Sequence, residues 1–238
     1  PMVNLPHQKE RQITIPADGP VPQGVTKRIP MLEKFDEVDD GYLPEGWHWN
    51  YTPNATTSLK HFGETGKSFE VSGNRLVGRG ARLYLDDTLG CGIVHVGQQI
   101  WIDSASAAER LPKSVCIHGP WFAPRAVLKI LGTDMRVEYD GQGKPAQVEK
   151  VRVSADQWVR LDLAADATRQ CWSAWLDGQA IIVDAPFAES KSNLAGVSWG
   201  SATDGKAYNG FWIDDVAIEC YTDRVAFCQA VNLKWEKP

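Results

Sequence analysis

The sequence predicts an all-β protein, an antiparallel β-sandwich of the jelly-roll kind, and three observations lead to this prediction. Short apolar or alternating segments follow one another from residue 31 to residue 219. Dipeptides suited to tight turns separate several of these segments. The 238 residues include ten tryptophans, and the sequence shows no long amphipathic helix pattern. Many short strands with regular turn signals are typical of sandwiches and jelly rolls.

The first 30 residues differ from the rest of the chain. They contain six of its 14 prolines, and most of their other positions are polar. Proline fixes φ and removes a backbone donor, so we predict an extended arm or linker over residues 1–30. Ile13 and Ile15 alternate with Thr14, which would suit a short edge strand within this arm.

From residue 31 onward the pattern predicts thirteen strands. They are 31–36, 68–77, 81–86, 92–103, 114–118, 125–131, 134–140, 147–153, 158–163, 170–176, 179–184, 194–199 and 211–219. Four dipeptides suited to positive φ separate some of them: Gly73-Asn74, Asp140-Gly141, Asp177-Gly178 and Asp204-Gly205. Residues 105–110 would make one helical turn, and no longer helix is predicted.

The last predicted strand has an unusual composition. With a period of two residues, Trp212, Asp214, Val216 and Ile218 share one face. A carboxylate on an apolar face is costly unless a partner compensates it. Asp214 would therefore bind a cation, accept backbone N–H groups or pair with a basic side chain. A twist of the strand that exposes Asp214 is a further alternative.

Composition excludes several kinds of protein. The net charge is −5 and the pI is about 5.6, whereas nucleic-acid binding requires a concentrated basic surface. No run of 18 apolar residues is present, so we predict no transmembrane helix. Five cysteines show no zinc-ligand spacing. Cys220 and Cys228 flank a short segment and would pair as a disulfide or remain as buried thiols.

Three segments resemble the concanavalin A-like and laminin-G-like jelly-roll domains of extracellular bacterial proteins, including carbohydrate-binding modules. The opening segment runs from Phe35-Asp36 to Leu43-Pro44-Glu45-Gly46-Trp47 and is similar to their first strand. Residues 158–163 with Trp175-Leu176-Asp177-Gly178 resemble a central hairpin, and Phe211-Trp212-Ile213-Asp214-Asp215-Val216 resembles their closing strand. The resemblance implies one sandwich over residues 31–220, with residues 221–238 packed on it as a C-terminal extension.

The resemblance also implies a metal site and a location. In such domains the opening acidic residue and the closing Asp often hold a structural Ca²⁺, which here would fall on Asp36 and Asp214. It further implies an extracellular or periplasmic protein. The opening residues of the chain show no leader pattern, and this start suits a cytosolic protein, a mature secreted one or an excised piece.

A sugar-binding site is predicted from aromatic and basic residues. The candidates are Trp47, Trp49, Tyr51, Arg79, Arg82, His118, Trp121 and Phe122. The first three alternate, so they would form either a sugar-stacking row or the core face of a strand. The two arginines would clamp acidic groups of a glycan or form an ordinary paired surface. Trp172 and Trp175 differ in parity, so we expect one in the core and the other available for exposure.

The patterns of known enzymes with this fold are incomplete here. Laminarinase-like jelly rolls take their carboxylates from an E-x-D-x-x-E strand, and Glu37-Val38-Asp39 lacks the third acid. Jelly-roll polysaccharide lyases use a Q-[IV]-H strand, but Gln98-Gln99-Ile100-Trp101 carries Trp101 at the histidine position. These departures favour a non-catalytic protein, while His95 and His118 leave a general base open.

We therefore expect a non-catalytic carbohydrate-binding or accessory domain of an extracellular bacterial protein. A polysaccharide lyase or glycoside hydrolase is one alternative. A structural or adhesive module of a surface assembly, with residues 1–30 docking on a neighbouring domain or subunit, is another. The expected partners are polysaccharides or other glycans, and neither nucleic acid nor membrane insertion is expected.

Overall fold

The protein folds into two facing β-sheets, which confirms the predicted all-β sandwich. The structure, a computed structural model, describes residues 26–27, 29–38, 44, 46–49, 57–58, 66–73, 79–85, 91–108, 112–120, 123–131, 136–141, 144–189, 191, 193–201 and 209–236. Most of the predicted arm lies outside these residues, as do Tyr51, Trp121 and Phe122. No helix among the described residues is long and apolar enough to cross a membrane.

Sheet I has eight strands in the order β1-β6-β15-β8-β9-β10-β11, and β3 also pairs with β6. Its strands are β1 (Thr26–Lys27), β3 (Trp47–Trp49), β6 (Arg79–Leu85), β8 (Lys113–His118), β9 (Pro124–Leu131), β10 (Arg136–Gly141), β11 (Lys144–Arg152) and β15 (Gly196–Ser201). All its pairs are antiparallel except that of β1 with β6.

Sheet II also has eight strands, in the order β14-β13-β12-β7-β16-β5-β4, and β2 also pairs with β16. Its strands are β2 (Met31–Glu33), β4 (Thr57–Ser58), β5 (Ser68–Gly73), β7 (Ile93–Trp101), β12 (Trp158–Asp166), β13 (Cys171–Leu176), β14 (Gln179–Pro186) and β16 (Asn209–Tyr221). Every pair in this sheet is antiparallel. The first strand of the predicted sandwich, β2, therefore lies beside its last strand, β16.

Alternation along the strands builds the core between the sheets. On β7, Val94, Val96 and Ile100 face the core, whereas His95 and Gln99 face outward. Strands β8 and β15 follow the same rule in sheet I. The inward residues of the two sheets form one large apolar cluster, which is the main source of stability in a sandwich of this kind.

Strand β16 departs from the predicted alternation. Phe211 and Ile213 are buried in the core, and so are Val216 and Ile218. The parity changes because the register shifts after Asp214, and Asp215 adopts a φ of 46°. This β-bulge places Asp214 on the opposite face from Val216 and Ile218, so the prediction that the three share a face is wrong.

The outer face of sheet II is partly covered by the C-terminal segment. Helix α1 (Ser104–Ala108) is the short turn that the sequence predicted, but helix α2 (Arg224–Val231) was not predicted. Asp223 caps α2 by accepting a hydrogen bond from the backbone of Ala226. Phe227 and Trp235 pack on Trp175, and the Trp175 indole donates to the Lys234 carbonyl at 2.8 Å.

This covering corrects the expectation for the Trp172 and Trp175 pair. The two side chains do face opposite sides, with Trp172 in the main core and Trp175 in the smaller cluster beneath the C-terminal segment. Both are 0% exposed, so neither is available for a ligand. An outward-facing tryptophan on a strand is buried here because a segment distant in sequence lies over it.

The disulfide and one turn also differ from expectation. Cys220 is bonded to Cys91, 129 residues away, whereas Cys228 is a free thiol on α2, so the Cys220–Cys228 pairing is wrong. The Asp177-Gly178 turn forms as predicted, with both residues at positive φ. Asp140-Gly141 instead ends strand β10, because both residues pair with β11.

Candidate functional site

Five of the eight predicted sugar-binding residues are among those the structure describes, and they fall on neighbouring strands of sheet I. Trp47 and Trp49 belong to β3, Arg79 and Arg82 to β6, and His118 ends β8. Backbone pairing joins β3 to β6, β6 to β15, and β15 to β8. Only the backbone of Trp49, Arg79 and Arg82 is described. The topology thus gathers residues that are 71 positions apart in sequence (47 to 118) on one sheet.

Trp47 lies in the core. It is 3% exposed and stacks on Trp199 with the ring centroids 4.6 Å apart. Phe35 packs against its edge at 5.4 Å. This is the core alternative that the sequence left open for Trp47, and its ring presents no surface for stacking on a sugar.

The outer face of sheet I contains a row of small residues on β15 and its neighbours. Gly200 lies opposite Gly80 on β6 and Ser114 on β8, and Ser198 lies opposite Cys116. These five residues face away from the core because Val197, Trp199, Val115 and Ile117, which alternate with them, are buried in it. We call these five residues the trough; Arg82 holds the register position opposite Ser198 on β6.

His118 closes one end of the trough. Its ring lies across Gly196, where an added Cβ would overlap the imidazole. Nδ1 is 2.8 Å from the Gly119 carbonyl oxygen, so Nδ1 carries the proton and Nε2 carries the lone pair. Tyr84, opposite Gly196 on β6, meets the His118 ring edge-on at 6.0 Å. His118 is 0% and Tyr84 is 2% exposed.

Arg125 stands beside His118 and is the functional candidate that sequence reasoning missed. Its guanidinium donates to Asn193 Oδ1 at 2.9 Å and to Glu189 Oε2 at 3.4 Å, and it also donates to the Ala123 and Pro124 carbonyls. Burial lowers the pKa of Arg125, and the charge of Glu189 partly offsets this effect. Ala126, Leu128 and Ile130 of β9 lie in the core, so strand alternation places Arg125 on the outward face.

A second titratable cluster lies on the outer face of sheet II, close to α2. His95 is 1% exposed, with Nε2 2.9 Å from Asp162 and Nδ1 3.1 Å from Glu219. Arg160 donates to both oxygens of Asp162, and Tyr221 donates to Glu219 at 2.6 Å. We call these five residues the His95 network.

The electrostatics of the His95 network favour the imidazolium. Burial opposes the charge on His95, but the hydrogen bonds to Asp162 and Glu219 outweigh it and raise the pKa of the ring above 6.5. Burial would raise the pKa of Asp162, but His95 and Arg160 lower it overall. A ring with both nitrogens bound to carboxylates has no lone pair for proton abstraction. His95 is therefore a structural residue rather than the general base that the sequence left open.

Asp36 and Asp214, the predicted calcium ligands, both accept backbone hydrogen bonds. Asp36 accepts from the amide of Lys67 at 2.8 Å, and Asp214 accepts from Asp215 at 2.7 Å. The Lys67 ammonium group donates to the nearby Val38 carbonyl. No group of three or more His, Cys, Asp or Glu side chains that could hold a metal ion occurs in the described part of the chain. Asp214 thus accepts a backbone N–H group, which is one of the alternatives that the sequence left open, and Asp36 does the same. Calcium binding stays a prediction.

Comparison with known proteins identifies the fold only. No family model matches the chain, and no curated protein is significantly similar to it. A sialidase matches with a TM-score of 0.64 at 11% identity, over 83% of this chain and 19% of its own. The chain thus spans about a fifth of the length of that protein.

Two further solved structures have the same fold. A carbohydrate esterase from the Shiga toxin-encoding bacteriophage phi24B matches with a TM-score of 0.54 at 15% identity, over 74% of this chain and 90% of its own. The binding domain of botulinum neurotoxin serotype D matches with a TM-score of 0.50 at 12% identity, over 78% of this chain and 46% of its own. These similarities, all at 15% identity or less, confirm the fold alone, a two-sheet β-sandwich.

Proposed function

We propose that this protein is a non-catalytic carbohydrate-binding domain that holds a glycan in the trough of sheet I. The observation that carries the proposal is the row of small outward residues on β15, with Tyr84, His118 and Arg125 at one end. A glycan needs a depression lined by a few fixed polar groups and an aromatic surface. In the trough the accessible polar groups are those of Ser114 and Ser198, which are half-buried, and the buried Tyr84, His118 and Arg125 hold its end rigid.

The solved structures with this fold support the proposal. One is a sialidase and another a carbohydrate esterase, so their names place them among proteins that act on carbohydrates. Fold similarity at this level raises the expectation without identifying the site. The trough itself therefore carries the proposal for this chain.

Filling the trough tests the proposal. Ser198→Trp places a large ring on the floor, whereas Ser198→Ala leaves it open and serves as the matched control. On a glycan array, wild type and Ser198→Ala should bind the same glycans, and Ser198→Trp should lose at least tenfold in affinity. Equal binding by all three proteins, with near-ultraviolet circular dichroism showing each folded, would refute the trough as the site.

Catalysis is a second candidate, and the fixed tautomer of His118 favours it. On a uronate polymer, His118 Nε2 would take the proton from the carbon beside the carboxyl group, and a C=C bond would form as the glycosidic C–O bond breaks. The Tyr84 hydroxyl would protonate the departing oxygen. This candidate ranks second because both side chains are almost fully buried. Ultraviolet absorbance of unsaturated uronates over a panel of polyuronates tests it, and a flat trace would remove it.

Three further properties belong to this proposal. We propose that the domain acts outside the cytoplasm of a bacterium, that residues 1–30 dock on a neighbouring domain, and that Asp36 and Asp214 bind structural calcium. For calcium, a melting temperature measured with Ca²⁺ and with EDTA is decisive. An increase with Ca²⁺ that disappears in Asp36→Asn supports the site, and identical melting temperatures would overturn it.

A further inference from the structure

Three tryptophans lie side by side on adjacent strands of sheet II. Trp101 on β7 is opposite Trp158 on β12, and on its other side it is opposite Trp212 on β16. Directly opposed residues on antiparallel strands project from the same face. We call this set the tryptophan row. Trp101 and Trp158 meet edge to face with their ring centroids 5.8 Å apart.

The tryptophan row faces away from the core. The residues that alternate with its members, such as Ile100, Val159 and Ile213, are buried in the main cluster. Trp101 and Trp158 are half-buried, whereas Trp212 is 6% exposed. The first two therefore provide the accessible indole surface, and Trp212 supports it from one side.

A row of polar residues runs parallel to the tryptophan row, and on each strand it lies two residues away from the tryptophan. Gln99 lies between Arg160 on β12 and Asp214 on β16. Arg160 and Gln99 are half-buried, and Asp214 is buried. The row holds one cation, one amide and one anion, and Glu70, opposite Trp212 on β5, adds a second carboxylate beside it. An aromatic surface thus lies next to hydrogen-bonding groups that include two carboxylates.

Arg160 is held in a fixed position within this row. Its Nε and Nη2 donate to the buried carboxylate of Asp162, which in turn binds His95. The guanidinium lies over Gly97, where an added Cβ would overlap Nη2. Nη1 makes no hydrogen bond to another described residue, and 32% of the side chain is exposed. The His95 network therefore orients a guanidinium that has a donor to spare.

We propose that the tryptophan row and the adjacent polar row form a second glycan-binding site, specific for a neutral chain of all-equatorial hexoses such as a β-glucan. Pyranoses of this kind present an apolar C–H face that stacks on indoles, and hydroxyl groups at the ring edge. Arg160 Nη1 and the Gln99 amide would bind the hydroxyl groups. The carboxylates of Asp214 and Glu70 beside the tryptophan row disfavour uronates and sialic acids. The site lies on the other sheet from the trough and does not depend on it.

Affinity gel electrophoresis of the full chain tests this site, with hydroxyethyl cellulose, laminarin and xyloglucan as neutral probes and polygalacturonate as the acidic probe. Wild type should be retarded by at least one neutral glucan. This site should contribute nothing to any retardation by polygalacturonate. Trp158→Ala should bind that glucan roughly fivefold to tenfold more weakly, because a stacking ring is lost. Gln99→Ala, which removes an outward amide and leaves the core intact, should weaken binding about twofold to fivefold.

The trough variant separates the two sites. Ser198→Trp should keep full affinity for the neutral glucan if the tryptophan row binds it. The proposal is overturned if no neutral glucan retards wild type, or if Trp158→Ala and Gln99→Ala, both shown folded by circular dichroism, bind as wild type does. It is also overturned if Ser198→Trp alone abolishes binding, since the trough would then be the site for this glycan.

Discussion

Phe227 on α2 should be a principal anchor of the C-terminal segment. Its side chain is fully buried, and its ring centroid lies 5.2–5.6 Å from the rings of His95, Trp175, Tyr221 and Trp235. Truncation of a buried phenylalanine costs about 3–5 kcal/mol, through lost burial and the cavity that remains. We expect about 4 kcal/mol for Phe227→Ala, because four rings surround the site and cannot all move to fill it.

Chemical unfolding followed by tryptophan fluorescence measures this loss. Val225→Ala is the matched control, since Val225 lies on the same helix, is 65% exposed and should change stability by less than about 0.5 kcal/mol. Hydrogen exchange of the Trp175 indole, which donates to Lys234, reports release of the segment. A loss below about 1 kcal/mol for Phe227→Ala, or equal losses for both variants, would show that the segment does not depend on this anchor.

Three other perturbations have defined outcomes. The pKa of His95 is raised above 6.5, so its contribution to stability is complete below pH 6.5 and is lost as the pH rises through the folded pKa. Melting temperatures measured over a pH series should therefore decline on the alkaline side. His95→Gln should remove this decline. Replacing Cys91 and Cys220 by serine removes a crosslink between residues 129 positions apart, and it should lower the free energy of unfolding in urea by about 2–5 kcal/mol. An unchanged urea midpoint would contradict a formed disulfide. Gly178 has a φ of 79°, and a Cβ added to it would meet no atom within 4 Å. Gly178→Ala should therefore lower the free energy of unfolding by about 1–2 kcal/mol through backbone strain alone. An unchanged free energy of unfolding in the same assay would contradict this.

The sequence predicted the strands well because alternation is a local property. The predicted strand at 125–131 is β9 at Pro124–Leu131, and 179–184 is β14 at Gln179–Pro186. The Asp177-Gly178 turn was also readable, since Gly adopts positive φ without a steric penalty. In each case the determining interactions lie within a few residues, so the sequence contains the whole signal.

The errors arose where a single inserted residue or a distant segment decides the outcome. The bulge after Asp214 reverses the facing of half a strand, and period-two reasoning assumes that no such insertion occurs. One of Trp172 and Trp175 was expected to be available, but the outward one, Trp175, packs against Phe227 and Leu233 of the C-terminal segment. Helix α2 was missed although Asp223 is a suitable N-cap, because eight residues give little helical periodicity.

The sequence by itself determined the fold class and most strand positions. Only the tertiary structure decided which residues meet. Strand register placed Trp158, Trp101 and Trp212 in one row, and it placed Gly200 between Gly80 and Ser114. Register depends on pairing between strands that lie tens of residues apart, and that pairing is set by core packing rather than by local pattern. Both proposed glycan-binding surfaces are consequences of register, so they could not be read from the order of the residues.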